Sequence, residues 1–97
     1  MSSYDKNITM KRIVFSQHAV DKIEILKKHK IFIDKELIEN AILNPDSIDS
    51  GYKGRFVAQK MLDENHVLRI VYEESEESVR VITMYPGRRK RYEKDYL

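Results

Sequence analysis

The sequence predicts an α+β fold: an N-terminal helical hairpin packed on one face of a twisted antiparallel sheet of three to four or more strands. Three observations carry this expectation. Apolar residues recur at helical spacing from Ala19 to Ile42. After Pro45 the pattern changes to short runs rich in β-branched and aromatic residues. The connectors between those runs, "DEN" and "EESEE", are brief and polar, as in antiparallel hairpins. Helices first and strands afterwards is the order of a segregated α+β domain.

The elements follow in order. Residues 1–9 are polar and expected to be loose. "KRIVFS" (11–16) reads as a short strand with Ile13 and Phe15 on one side. Ser16 is an N-cap candidate that opens a helix over 17–30, buried along Ala19, Ile23 and Leu26. Lys27, Lys28 and Lys30 near its end suit the negative pole of the helix dipole. "IFI" is a connector, and Asp34 caps a second helix with Leu37, Ile38, Ala41 and Ile42 on its apolar face. Asn44-Pro45 stops that helix, because the residue before proline avoids the α region. "SIDS" is a candidate short strand, "GYKG" a turn, and 55–62, 66–72 and 78–85 are three further strands.

A tight "DEN" turn would set Lys60 opposite Arg69, and Arg69 opposite or diagonal to Arg80. Strict alternation then sorts Val57, Met61, Leu68, Ile70, Tyr72, Val79 and Val81 onto the helix-bearing face. The open face would carry Phe56, Ala58, Val67, Val71, Ile82, Met84 and a basic row, Lys60–Arg69–Arg80. The segment "MYPGRRKRY" leaves the strand of Arg80, and Pro86-Gly87 would turn its arginines toward that row.

The 97 residues make one domain, 1–97, at 41% hydrophobic and 35% charged, which excludes a disordered chain. Net charge is only +2. The distribution matters more: Arg88, Arg89, Lys90 and Arg91 are contiguous, and Glu73, Glu74, Glu76 and Glu77 cluster upstream as an expected solvated turn. With no cysteine there is neither a disulfide framework nor a thiolate metal site. His18, His29 and His66 lack ligand-like spacing, so no metal and no cofactor are expected. The absence of an apolar leader or spanning run points away from a membrane and toward the cytoplasm.

No glycine-rich phosphate loop or nucleophile elbow is present. Acidic pairs such as Asp63-Glu64 fall in turns and read as solvated. Clustered arginines suit phosphodiesters, which guanidinium groups bind bidentately, and Tyr85 and Tyr92 offer rings for stacking. The same segment also reads as a solvated end or as a docking site for an acidic protein. His18, near the start of the first helix, either accepts a proton as a neutral imidazole or closes the helix against the sheet.

Taken together, "FSQHAVDKI", "ELIENAILNPD", "VLRIVYE" and "VRVITMYP" with its basic end resemble the RelE/ParE-like toxin superfamily, nearest to small domains related to BrnT-type toxins. The resemblance spans Lys11 to Tyr92. It implies a helical hairpin on a twisted antiparallel sheet. It also implies messenger-RNA cleavage, free or on the ribosome, or poisoning of gyrase, and neutralisation by a cognate antitoxin. Positions matched to the superfamily's basic and tyrosine residues are Lys60, Arg69, Arg80, Tyr85, Arg88, Arg89 and Tyr92, with His18 from the related branch.

The resulting expectation is a toxin-like, metal-independent endoribonuclease. Arg80, Arg88 and Arg89 would hold phosphate, with Lys90 and Arg91 extending the nucleic-acid contact. Lys60 and Arg69 would stabilise developing charge, and Tyr85, Tyr92 or His18 would move protons. The alternatives are a non-catalytic module binding nucleic acid or protein through the same surface, and a gyrase-type poison.

Overall fold

Strand β1 (Arg12–Phe15) enters the sheet and ends at Ser16, which begins helix α1 (Gln17–Lys28). The computed structural model describes residues 11–92, without the side chains of Tyr52, Arg91 and Tyr92. The expectation for residues 1–9 lies outside them. The Ser16 hydroxyl accepts from the Ala19 N–H at 3.0 Å, closing the helix start. It also donates to the Ile82 carbonyl at 2.9 Å, while the Ser16 N–H donates to Val81 at 2.9 Å. One buried residue thus caps the helix and pins it to the far strand.

Helix α2 (Lys35–Leu43) starts at Asp34, whose carboxylate accepts from the Leu37 N–H at 2.9 Å. It ends at Asn44, before Pro45. Strand β2 (Ser47–Ser50) and a 3-10 turn at Tyr52–Gly54 lead to β3 (Phe56–Met61). Lys53 (φ 57°) and Gly54 (φ 76°) both take the left-handed conformation that reverses the chain here. Strand β4 (His66–Glu74), strand β5 (Ser78–Arg88) and the single-turn helix α3 (Arg89–Tyr92) follow.

The five strands form one sheet in the order β1-β5-β4-β3-β2. The sheet is mixed, which corrects the antiparallel expectation. β1 runs parallel to β5, pairing Ile13 with Val79 and Phe15 with Val81. The first strand pairs with the last because α1 and α2 carry the chain away and the later hairpins return it. Helix α1 lies on β5 and β1, and α2 lies on β3 and β4. Between helices and sheet, Ala19, Ile38, Ala41, Ala58, Leu68, Ile70, Val79, Val81 and Met84 are fully buried. Phe56 stacks on Tyr72 with ring centroids 5.6 Å apart.

The register differs from the expected one in two places. Met61 pairs with Val67, so Lys60 faces Leu68 rather than Arg69. The turn over 62–65 is one residue longer than "DEN", with both Leu62 and Asp63 N–H groups donating to the His66 carbonyl. A slip of one residue exchanges the faces of a strand. Phe56, Ala58 and Lys60 therefore point to the helix side, and Val57, Gln59 and Met61 to the open side. In the next hairpin β4 runs on to Glu74, so Arg80 pairs with Glu73, and Arg69 pairs with Tyr85. A bulge opposite Val71/Tyr72 shifts the alternation of β5 and brings Met84 into the core.

Candidate functional site

Two side chains build the turn between β3 and β4. The Asp63 carboxylate accepts from the Asn65 N–H at 2.7 Å, an Asx-type turn. The same carboxylate meets Nδ1 of His66 at 2.9 and 3.2 Å. The Asn65 N–H holds the Asp63 carboxyl below the usual carboxylate range, and the His66 side chain adds to the effect. A carboxylate against Nδ1 fixes that nitrogen as the donor, leaving Nε2 of the neutral ring as an acceptor.

Antiparallel pairing sets His66 opposite Arg88. Immediately beyond, the Arg89 N–H donates to the Asn65 carbonyl at 2.8 Å, tying the start of α3 to the turn. The result is an open depression of about 630 Å³ lined by Glu64, Asn65, His66, Arg88, Arg89 and Lys90. Three cations meet one carboxylate there, and the imidazole is held from behind by Asp63. The side chain of His66 is 51% exposed, so a solute reaches it directly. Such a set can bind a phosphate oxyanion, stabilise added charge on it, and accept a proton.

On the open face, Gln59, Arg69 and Tyr85 form a second polar group. Arg69 Nε donates to the Tyr85 hydroxyl at 3.1 Å, and Nη1 donates to Gln59 Oε1. The phenol oxygen is an acceptor in that bond, so its own O–H stays available as a donor. Val57, Val71 and Thr83 continue this face toward a third group, in which Glu73 joins Arg55 at 3.2 Å and Arg80 at 3.8 Å.

The basic row Lys60–Arg69–Arg80 does not form. Lys60 lies on the helix side, where Nζ donates to the Asn44 carbonyl at 2.7 Å and approaches Asp46 at 3.8 Å. It serves the end of α2, where uncapped carbonyls and the dipole favour a cation. Arg80 pairs at the far end of β4, four residues from Arg69, and neutralises Glu73. Glu73 and Glu74 are thus strand residues with basic partners, Glu74 meeting Lys11, rather than members of a solvated turn. His18 is exposed in the first turn of α1 and is not among the residues that line the depression.

Alternation puts Arg69 and Tyr85 on the open side but Arg88 on the other, with His66. The cationic segment therefore joins neither Arg69 nor Arg80, and Lys60, though on the same side as Arg88, is held at the Asn44 carbonyl and does not line the depression. The side chains of Arg91 and Tyr92 lie outside the described residues. His66 and Asp63 are the site residues the sequence reading missed. The available signal was "DENH" itself, an Asp-x-Asn turn that presents the Asp carboxylate to a histidine three residues on, at the mouth of a strand.

The family described as a domain of unknown function, DUF4258, matches residues 15–86. No curated protein and no solved structure matches the chain. Asp63 and His66 lie inside the matched span, and Arg88, Arg89 and Lys90 lie just beyond it. Among the described residues no helix is long and apolar enough to cross a membrane, and no cluster of three or more His, Asp or Glu could hold a metal ion.

Proposed function

The chain belongs to the DUF4258 family, and we propose that it is a toxin-like protein acting on RNA as a metal-independent endoribonuclease. The observation that carries the reading is the convergence of Arg88, Arg89 and Lys90 on one depression with an imidazole. Strand-internal transesterification of RNA needs cations for the pentavalent phosphate and a base for the 2′-hydroxyl, and this depression offers both residue types. The resemblance to RelE/ParE-like toxins supports the same reaction class, on free or ribosome-bound messenger RNA, and a cognate antitoxin as protein partner.

A second reading is a non-catalytic RNA-binding module using the same surface. It is favoured by the engagement of Lys60, Arg69 and Arg80 with protein groups, which leaves fewer cations for transition-state charge.

Purified protein incubated with single-stranded RNA in EDTA tests the proposal. Cleavage that Arg88→Ala/Arg89→Ala abolishes, and that Arg80→Ala leaves within about twofold, is the expected result. Salt-sensitive binding without cleavage selects the second reading, since phosphate contacts weaken steeply with salt. Neither binding nor cleavage refutes both.

A further inference from the structure

We propose that His66 is the proton acceptor for the 2′-hydroxyl in this depression and that Asp63 positions it. The inference rests on the RNA-cleavage reading and gives the site its reactive group, at a position that neither the basic segment nor the family match marks out.

Four observations converge. Nδ1 of His66 is committed to the Asp63 carboxylate at 2.9 and 3.2 Å, so the neutral ring has its lone pair on Nε2. The carboxylate is itself held by the Asn65 N–H at 2.7 Å, which limits rotation of the pair. The imidazole is half exposed and lines the depression, so solute reaches the ring. The pairing of His66 with Arg88 sets a guanidinium across the β4–β5 ladder from the ring, where a phosphate bridging the two would bring its ribose to the imidazole. An Asp carboxylate behind an imidazole is a general device for fixing the tautomer and stabilising the imidazolium once it forms.

The charged groups around the ring are Asp63, in contact with it, and Glu64 from the turn, Arg88 from β5, and Arg89 and Lys90 from α3, which line the same depression. Glu64 repels a bare phosphate, which favours ligands that hold several cations at once, as an RNA backbone does.

The reaction balances as follows. The 2′-O–H proton passes to Nε2 of His66, and the 2′-oxygen forms a bond to phosphorus. The P–O5′ bond breaks with its electron pair going to O5′, which takes a proton from solvent water. The imidazolium returns its proton to the hydroxide so formed. The products are a 2′,3′-cyclic phosphate and a 5′-hydroxyl end, with no change of oxidation state and no further reactant.

The test uses the full chain with RNA in EDTA, and 2′-O-methyl RNA of the same sequence as a ligand that lacks the nucleophile. His66→Ala is expected to lower kcat by about 100-fold or more, the usual worth of a general base. It should leave affinity for the 2′-O-methyl RNA within about threefold, and added imidazole should restore part of the rate. Asp63→Asn is expected to lower kcat with little change in KM and to remove the Nδ1–H tautomer signature from the ¹⁵N spectrum of His66. In the unmutated protein the His66 ring signals should move on titration with 2′-O-methyl RNA, a readout that needs no folded variant. His66→Ala cleaving within about threefold of wild type, or ring signals unmoved at saturation, overturns the assignment while the ribonuclease reading stands. A wild-type protein that binds RNA without cleaving it sinks that reading and this inference together.

Discussion

Ser16→Ala removes two hydrogen bonds with one atom. The hydroxyl accepts from Ala19 N–H at 3.0 Å and donates to the Ile82 carbonyl at 2.9 Å, and the residue is buried. Loss of an N-cap costs about 1 kcal/mol. Removing the donor to a carbonyl in a part-buried setting costs about 1 kcal/mol more. A total near 2 kcal/mol corresponds to a Tm loss of roughly 8–16 °C for a domain of this size. Asp34→Ala is the internal comparison, since Asp34 is exposed and its carboxylate makes the cap bond to Leu37 at 2.9 Å. It should lose about 1 kcal/mol, or roughly 4–8 °C. Thermal unfolding followed by circular dichroism measures both variants under one condition. A Ser16→Ala loss equal to or smaller than that of Asp34→Ala would refute the claim that Ser16 fastens α1 to β5 as well as capping it.

Further outcomes follow from the same geometry. Ile70, fully buried between Ala58 and Met84 in the ladder, should lose about 2–5 kcal/mol as Ile70→Ala, read as a lower urea midpoint. Lys60→Ala should reduce stability by less than about 1 kcal/mol and leave RNA cleavage within about twofold, because the ammonium serves the end of α2; loss of cleavage would restore it to the site. Asp63 titrates below its ordinary value of 3.8 in the folded chain, so it contributes stability that is present above that value and lost as pH falls through the lower folded one. Asp63→Asn should therefore lower the denaturant midpoint slightly at neutral pH and flatten the acid decline, the two proteins converging as pH falls below about 4, as measured by denaturant midpoints across pH.

The bearing of these tests on function comes from a division within the sheet. Its open face carries Arg69 and Tyr85 in one group and Arg55, Glu73 and Arg80 in another. The depression at the end of β4 and β5 gathers Arg88, Arg89 and Lys90 around His66. Charge reversal at Glu73 should thus perturb Arg80 without reaching that depression, and variants can address each group separately.

Much of the fold was legible in the residues. Ser16 and Asp34 announced the helix starts, because an N-cap reaches an amide only three residues on. Asn44-Pro45 marked the helix end through a clash between adjacent residues. Strands read over 55–62, 66–72 and 78–85 showed in their β-branched runs, and the structure has them at Phe56–Met61, His66–Glu74 and Ser78–Arg88. The helix side of Leu68, Ile70, Tyr72, Val79 and Val81 followed from alternation once a register was assumed, whereas Val57 and Met61, sorted with them, face the open side.

Caps, stops, strand propensity and the presence of a cationic segment after a strand are each decided within about four residues of chain, so they can be read from the residues in order. The tertiary structure decided which residues meet. One extra residue in the turn before His66 sent Lys60 to the helix side, and a bulge in β5 carried Met84 inward. Antiparallel pairing then set His66 against Arg88, 22 positions away. Such meetings depend on turn length and register, where a shift of one residue costs little locally but exchanges every side chain between faces.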